Sequence, residues 1–195
     1  IGGVSMKFVY HSSPKQHIKL FKPNKSTHGE SWVYATKDRI MSILFISGIG
    51  GDFTCQVGRD PETGKPYICE RFKGAFDLRY KDRKGSIYKL PGEIFLENMT
   101  GWDEEVVCPS PVVPVDEELV DDAKSYLLKL REENLLIIKY YPERIDNIPE
   151  DDEDLVERGI VWTRQFGEKI LGEVKKYHPH LLERVKKGLK EGKYL

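Results

Sequence analysis

The chain has 195 residues, 39% of them hydrophobic and 32% charged, so it is long enough to bury a core and short enough that one main domain is expected. Its 31 Lys and Arg residues nearly balance its 32 Asp and Glu residues, and the formal charge of -1 excludes a global field that would recruit nucleic acid or an anionic membrane. The apolar stretches fall short of the roughly 18 to 20 residues of a membrane span, and the N-terminus lacks a signal-peptide pattern.

The cysteines indicate the cellular compartment. Cys55, Cys69 and Cys108 are widely separated and odd in number, so they fit neither a zinc spacing nor a framework of disulfides. We therefore expect a cytoplasmic protein with no membrane partner.

Residues 1–5, IGGVS, precede the first methionine, and we interpret them as a cloning remnant that takes no part in the fold.

From Lys7 to about Val115, short runs of Val, Ile, Phe and Tyr alternate with Gly, Pro, Asn and Asp, which predicts strands joined by turns. The predicted strands are KFVYH, SWVYAT, FTCQVG, PYICERF, SIYKL and EEVVC. A short helix is predicted after Thr36, because Ile40, Ile43 and Leu44 fall at helical spacing before a glycine. The segment CPSPVVPV is rich in proline, which indicates a stiff extended connector and places the main boundary after Val115.

The pattern beyond Val115 is helical. From an acidic start at Asp116, a first helix is predicted from the spacing of Leu119, Ala123, Tyr126, Leu127 and Leu130. A longer helix is predicted to follow PEDDEDL, with one apolar stripe of Val156, Ile160, Phe166, Ile170, Val174 and Tyr177. Pro179 interrupts it before a final basic helix. We therefore predict an α+β fold: a mainly antiparallel split sheet in residues 6–115 and a helical extension in residues 116–195 packed on it.

Three places in the first domain carry side chains suited to chemistry. His11 ends the first predicted strand, where it either lies at a functional edge of the sheet or only bonds its neighbours. Tyr34 and Phe45 are either core aromatics or the walls of a site. Glu104 and Glu105 precede an apolar strand and point to opposite faces, so one of them can face a cleft and stabilise a developing cation.

Taken in order, YHSS, then VYAT with a following helix that carries an aromatic, then a glutamate before VV, resemble the His-Tyr-Glu signature of ADP-ribosyltransferases of the diphtheria-toxin and poly(ADP-ribose) polymerase type. The resemblance covers about residues 7–113. It implies an enzyme that takes NAD+ as its substrate and either transfers ADP-ribose or hydrolyses the dinucleotide. It also implies a helix between the first two motifs, for which only the short PKQHIKLFKPN is present.

The resemblance also implies roles for individual residues. His11 would hold the adenosine-side ribose of NAD+, and Ser13 would lie beside the nicotinamide amide. Tyr34 would pack the nicotinamide ring, with Phe45 as the second stacking aromatic. Glu104 would bond the nicotinamide-side ribose, with Glu105 as the alternative; Glu93 and Glu97 are nearby acids that another register would favour. Such a carboxylate suits the reaction, because positive charge develops on the sugar as in glycoside hydrolysis.

Two other interpretations remain open. A non-catalytic binding or regulatory protein can share the same scaffold, with the C-terminal helices as a surface for a partner or for a homo-oligomer. An NAD+ enzyme that modifies nucleic acid would need a basic rim, for which the candidates are Lys15, Lys19, Lys22 and Lys25. Neither a metal site nor a P-loop is predicted, since no motif has the required ligands or spacing.

Overall fold

The structure is a computed structural model that describes residues 6–25 and 29–195. It has mainly antiparallel strands with helices at the C-terminal end, which confirms the predicted α+β fold class. The prediction that residues 1–5 are a cloning remnant concerns a segment outside the described residues. Among the described residues, none of the helices combines the length and the apolar character that crossing a bilayer requires.

The chain forms two compact units, each assembled from separate stretches of sequence. The described residues of the first unit are 6–25, 29–48, 61–66 and 80–137, and the second unit consists of Ile49–Asp60, Tyr67–Arg79 and Ile138–Leu195. The boundary predicted after Val115 falls inside the first unit, which continues to Ile137. The two units therefore do not coincide with the two predicted domains.

The regular elements follow the chain in this order. The strands are β1 (Phe8–Ser13), β2 (Asn24–Lys25), β3 (Ser31–Thr36), β4 (Cys55–Arg59), β5 (Pro66–Glu70), β6 (Gly85–Pro91), β7 (Glu105–Cys108), β8 (Asp116–Val120) and β9 (Ile137–Lys139). The helices are α1 (Arg39–Ile43), α2 (Ala75–Tyr80), α3 (Ala123–Glu132), α4 (Glu153–Phe166), α5 (Lys169–Tyr177) and α6 (Leu182–Lys190).

The sheet of the first unit opens between two of its strands. Its order is β2-β3-β1-β6-β8, and β7 pairs with β3. β1 pairs with β6 along its whole length, from Phe8 opposite Pro91 to Ser13 opposite Ser86. In contrast, β1 pairs with β3 at one position, Tyr10 opposite Thr36. Beyond that pair the two strands diverge, and this divergence creates the split that the sequence analysis predicted.

The core of the first unit follows from the alternation of side chains along the strands. Val9, Val33 and Val106 are buried on one side of the sheet together with Phe21. Phe21 belongs to the segment predicted as a minimal helix, but this segment is not helical, and the Phe21 backbone pairs with Val112. The buried Tyr88 hydroxyl holds the same segment by donating to the Lys15 carbonyl and accepting from the Ile18 amide.

The helix predicted from Asp116 is wrong over its first seven residues, because α3 begins only at Ala123. Asp116 to Val120 form strand β8, which pairs with β6, and Leu119 is 50% exposed rather than packed. The helix α3 begins at Ala123, because the Asp122 side chain caps it by accepting from the Ser125 amide. The helical spacing of Leu119 was therefore coincidental, and pairing with a neighbouring strand decided the conformation of this segment.

The second unit contains most of a small sheet, β4-β5-β9, and the three C-terminal helices. The apolar stripe predicted as one long helix is divided between α4 and α5, because Gly167 has a left-handed φ of 88° that ends α4. Val156, Ile160 and Val174 from that stripe are buried in one cluster with Phe53. His178 is buried after α5 and contacts the Phe53 carbonyl through Nε2 at 2.6 Å.

Candidate functional site

A cleft of about 200 Å³ lies where β1 and β3 diverge, and we name it the split-sheet cleft. Tyr10, His11 and Ser12 line it from β1, and Tyr34, Ala35 and Thr36 line it from β3. The rest of the wall consists of Ser42, Phe45 and Glu105. Since the strands no longer pair here, residues from both faces of β1 reach the same opening.

The cleft brings together residues from all three motifs that the sequence analysis singled out. His11 comes from the first motif, Tyr34 from the second, and Glu105 from the third, with Phe45 just after α1. The remaining two candidates, Ser13 and Glu104, are not among the residues that line it. Ser13 instead accepts a hydrogen bond from the Lys15 amide in the following turn.

His11 spans the gap between the diverging strands. Its Nδ1 lies 2.7 Å from the Tyr34 carbonyl oxygen. A carbonyl can only accept, so Nδ1 carries the proton, and in the neutral ring Nε2 is then an acceptor. Burial lowers the pKa of His11, and the hydrogen bond to Tyr34 offsets this effect only in part. The ring is therefore neutral at pH 7 and presents one acceptor nitrogen.

Two aromatic side chains form apolar walls. The Tyr34 ring makes an edge contact with Trp32, and the Phe45 ring makes one with Trp102, with centroids 6.1 and 5.8 Å apart. Phe45 is 37% exposed although Met41, Ser42 and Ile43 of α1 are buried. An aromatic that lines a cleft while remaining partly exposed is available to stack on a flat ligand.

The two candidate glutamates differ because the strand begins between them. Glu105 is the first residue of β7, opposite Thr36, and its backbone amide donates to the Trp102 carbonyl. The Glu104 carbonyl accepts from the Lys37 amide at 3.0 Å. Of the two, Glu105 lines the cleft and Glu104, just before the strand, does not. Neither Glu93 nor Glu97 lines it, and Glu97 pairs with Lys37.

Several polar residues of the cleft were not predicted. Ser12 and Ser42 contact each other through their hydroxyl oxygens at 3.1 Å, and Ser42 donates to the Arg39 carbonyl. Both serines are buried, so they form a fixed polar floor. Because side chains alternate along a strand, Tyr10 and Ser12 lie on the same face of β1, and this could have been predicted from the sequence. No sequence pattern connects Ser12 with Ser42, which belongs to a helix.

The structure offers less support for a metal site or for a nucleic-acid site. The described residues contain no group of three His, Cys, Asp or Glu side chains placed to hold a metal ion. Lys15, Lys19, Lys22 and Lys25 are exposed, and none of them lines the split-sheet cleft. Comparison of the chain with protein families, with curated proteins and with solved structures found no match. The interpretation of the site therefore depends on its residues and their geometry.

Proposed function

We propose that the protein binds NAD+ in the split-sheet cleft and acts as an ADP-ribosyltransferase-like enzyme, which transfers ADP-ribose or hydrolyses the dinucleotide. One observation supports the proposal above all others: His11, Tyr34, Phe45 and Glu105, which come from the three motifs of the signature, line one cleft. The proposed setting is the cytoplasm, which agrees with three cysteines that are free and buried.

The size and the walls of the cleft favour one end of the ligand. A volume of about 200 Å³ is below the roughly 300 to 1,000 Å³ of sites that enclose drug-sized molecules, so it suits one ring with its sugar. In the proposed complex the nicotinamide ring lies against Tyr34 and Phe45. Flat aromatic walls bind such a ring with little loss of conformational entropy because they have few rotatable bonds.

The polar residues then have distinct roles. The neutral His11 ring accepts a hydrogen bond from a ribose hydroxyl through Nε2, the nitrogen that its bond to Tyr34 leaves as an acceptor. The Glu105 carboxylate stabilises the positive charge that develops on the sugar as the bond to nicotinamide breaks. Glu105 takes this role in place of Glu104 because it is the one that lines the cleft.

Titration calorimetry of NAD+ into the wild-type protein and Tyr34→Ala tests binding. We expect wild-type binding and a loss of about 5- to 150-fold in the variant, since stacking on an aromatic contributes about 1 to 3 kcal/mol. Circular dichroism checks that both proteins are folded. No heat from either protein up to about 1 mM NAD+, where the binding free energy is only about 4 kcal/mol, would contradict the proposal.

Nicotinamide release by Glu105→Gln, with Glu104→Gln as the matched control, tests the reaction. We expect a loss of about 100-fold or more for Glu105→Gln, as for other groups that stabilise transition-state charge, and near wild-type activity for the control. Equal rates in both variants would exclude Glu105 as the catalytic carboxylate. Binding of NAD+ without any release of nicotinamide would favour a non-catalytic protein that associates through its C-terminal helices.

A further inference from the structure

The His11 ring has a second contact besides its hydrogen bond to Tyr34. Its centroid lies 5.0 Å from that of the Phe21 ring at an interplanar angle of 65°, and the Phe21 centroid lies 4.9 Å from that of Tyr88 at 80°. Both are edge-to-face arrangements within the range of distances at which aromatic pairs attract each other. His11, Phe21 and Tyr88 therefore form a continuous row of rings, which we name the ring row.

Strand pairing fixes the two ends of the ring row. Tyr88 on β6 is directly opposite His11 on β1, and opposed residues of an antiparallel pair share one face of the sheet. Phe21 comes from a different part of the chain and contacts both rings. Phe21 is 8% exposed and Tyr88 is 0% exposed, so neither ring can turn away without leaving a cavity in a close-packed core.

The backbone of Phe21 is also fixed. Its amide donates to the Val112 carbonyl at 2.8 Å, and its carbonyl accepts from the Val112 amide at 2.9 Å. Upstream, the Tyr88 hydroxyl bonds the Lys15 carbonyl and the Ile18 amide, so the residue that packs against the Phe21 ring also anchors the chain that leads to it. This non-helical segment lies where the resemblance implies a helix, and it brings an aromatic ring to His11.

A histidine ring needs such a second contact to be fixed in orientation. The χ2 torsion, about the bond that joins the ring to Cβ, has broad minima, so the hydrogen bond to the Tyr34 carbonyl sets the tautomer of His11 but leaves the tilt of its ring free. The edge contact with Phe21 limits that tilt. Phe21 also shields the ring from water, and burial is the larger influence on the pKa of His11, which it lowers.

We infer that Phe21 is a positioning residue of the proposed active site, which holds the His11 ring in the orientation that directs Nε2 into the split-sheet cleft. This inference rests on the proposed function, because Nε2 is the atom that accepts the ribose hydroxyl there. Phe21 is not among the residues that line the cleft, so it touches neither the dinucleotide nor the reacting atoms. Its effect reaches the substrate only through His11.

The test compares Phe21→Leu with the matched control Phe95→Leu. Phe95 is buried in the same core cluster, at 6% exposed, and among the described residues it has no ring contact with His11. Both variants keep an apolar side chain in the core, so both are expected to fold. The same loss of an aromatic ring is thus made once in contact with His11 and once apart from it.

Long-range 15N–1H NMR spectra identify the tautomer of each histidine and follow its pKa. We expect a single form of His11, protonated on Nδ1, in the wild type and in Phe95→Leu. In Phe21→Leu we expect a mixture of tautomers and a His11 pKa that moves toward its ordinary value of about 6.5, because the ring can tilt away from Tyr34 and meet water.

The ionisable side chains that line the cleft with His11, or that belong to the ring row, are unchanged in both variants. They are Tyr10, Tyr34, Tyr88 and Glu105. A change in the pKa of His11 that occurs only in Phe21→Leu therefore reports the loss of the ring contact and of the burial that it provides.

The rate of nicotinamide release measures the consequence for the substrate. In Phe21→Leu we expect the KM for NAD+ to rise about fivefold, as for the loss of one neutral hydrogen bond, while kcat stays near the wild-type value because Glu105 is unchanged. Phe95→Leu should keep both constants.

Each result decides the inference. Wild-type NMR signals of His11 in Phe21→Leu would overturn it, and so would equal changes in Phe21→Leu and Phe95→Leu, which would reduce the contact to general core packing. An altered His11 ring with an unchanged KM would also overturn it, while leaving the proposed function intact. If the wild-type protein neither binds nor cleaves NAD+, the proposed function is refuted, whereas the NMR comparison still decides whether Phe21 holds the His11 ring.

Discussion

At the scale of single residues, burial decides the protonation of two histidines. His11 and His178 each have one ring nitrogen on a backbone carbonyl, of Tyr34 and Phe53 respectively. Burial lowers the pKa of both, although each carbonyl favours the protonated ring. In the first unit the neutral ring faces a cleft, whereas in the second unit it lies inside a packed cluster. The same residue type therefore serves a site in one unit and the core in the other.

The stability of the protein should depend on pH through His178. Its folded pKa is below the unfolded value of about 6.5, so between these two pKa values the unfolded chain binds more protons. The free energy of unfolding should therefore fall as the pH drops below about 6.5. Urea unfolding of wild-type protein and His178→Gln at pH 7 and 5 measures this, and we expect a smaller fall in the variant.

The control for this experiment is His180→Gln. The His180 side chain is 64% exposed and its ring lies 5.9 Å from that of His178, so this variant removes an imidazole from the same segment without removing a buried one. Equal slopes in all three proteins would show that proton uptake by His178 does not contribute.

At the scale of elements, β1 and β6 approach each other so closely that only glycine fits at position 85. A Cβ atom added to Gly85, at the start of β6, would lie 2.1 Å from the Ser13 carbonyl oxygen on β1. This contact involves backbone and cannot be relieved by a side-chain rotation. The close approach holds β1 against β6 beside the place where β1 leaves β3, so it supports the position of His11.

Replacement of glycine by alanine should therefore have opposite effects at two positions. Gly85→Ala should lower the free energy of unfolding by about 1 to 3 kcal/mol through overpacking. Gly172→Ala, inside α5 with no atom within 4 Å of the added Cβ, should raise it by about 0.5 to 1 kcal/mol through helix propensity. Chemical unfolding measures both values, and a neutral Gly85→Ala would contradict the backbone contact.

In the second unit, a buried arginine joins the turn after β5 to the start of α4. Arg71, with a side chain 1% exposed, bonds both Asp152 and Asp154. Burial raises the pKa of both carboxyl groups, but hydrogen bonds and charge lower it below the usual value, from Arg144 and Arg71 at Asp152 and from Arg71 at Asp154. Although burial of Arg71 acts in the opposite direction, these carboxylates raise its pKa above the usual value.

Removal of this arginine should be costly because the carboxylates remain. We expect Arg71→Ala to lower the free energy of unfolding by about 3 kcal/mol, the lower end for a broken buried pair, because both aspartates are partly solvated. The control Arg184→Ala breaks an exposed pair with Glu153 and should cost less than about 1 kcal/mol. Similar losses in the two variants would show that burial does not strengthen the Arg71 pairs.

At the scale of the whole molecule, neither unit is a continuous piece of chain. The first unit ends at Ile137, and the second takes Ile49–Asp60 and Tyr67–Arg79 from within the range of the first. The strand β8, which starts directly after the predicted boundary, supplies one edge of the sheet of the first unit. The chain therefore folds from interleaved segments rather than from two consecutive domains.

Truncation after Val115 should for this reason prevent folding. The fragment of residues 6–115 lacks β8, α3 and the C-terminal helices, and it exposes β6 as an unprotected edge. We expect the fragment to show no cooperative thermal transition and poor amide dispersion by NMR, whereas residues 6–195 show both. A fragment that unfolds cooperatively would restore the predicted boundary.

The sequence by itself determined the fold class, the places of the main strands along the chain, and the residue types suited to a site. Strand alternation and the helical stripe depend on residues close together in the chain, so local patterns are enough to predict them. The helix prediction failed at Leu119, because this segment pairs with β6 as a strand. It failed also at Gly167, because the left-handed φ of this residue ends the helix. No local pattern distinguished Glu104 from Glu105, or connected Ser42 with Ser12.

Only the tertiary structure decided which residues share a cleft. His11, Tyr34 and Glu105 are far apart in sequence, and they meet because β1 and β3 separate after a single pair while β7 remains bound to β3. Such contacts between distant segments are set by strand pairing and packing, which is why the residue types could be chosen from the sequence but their meeting could not.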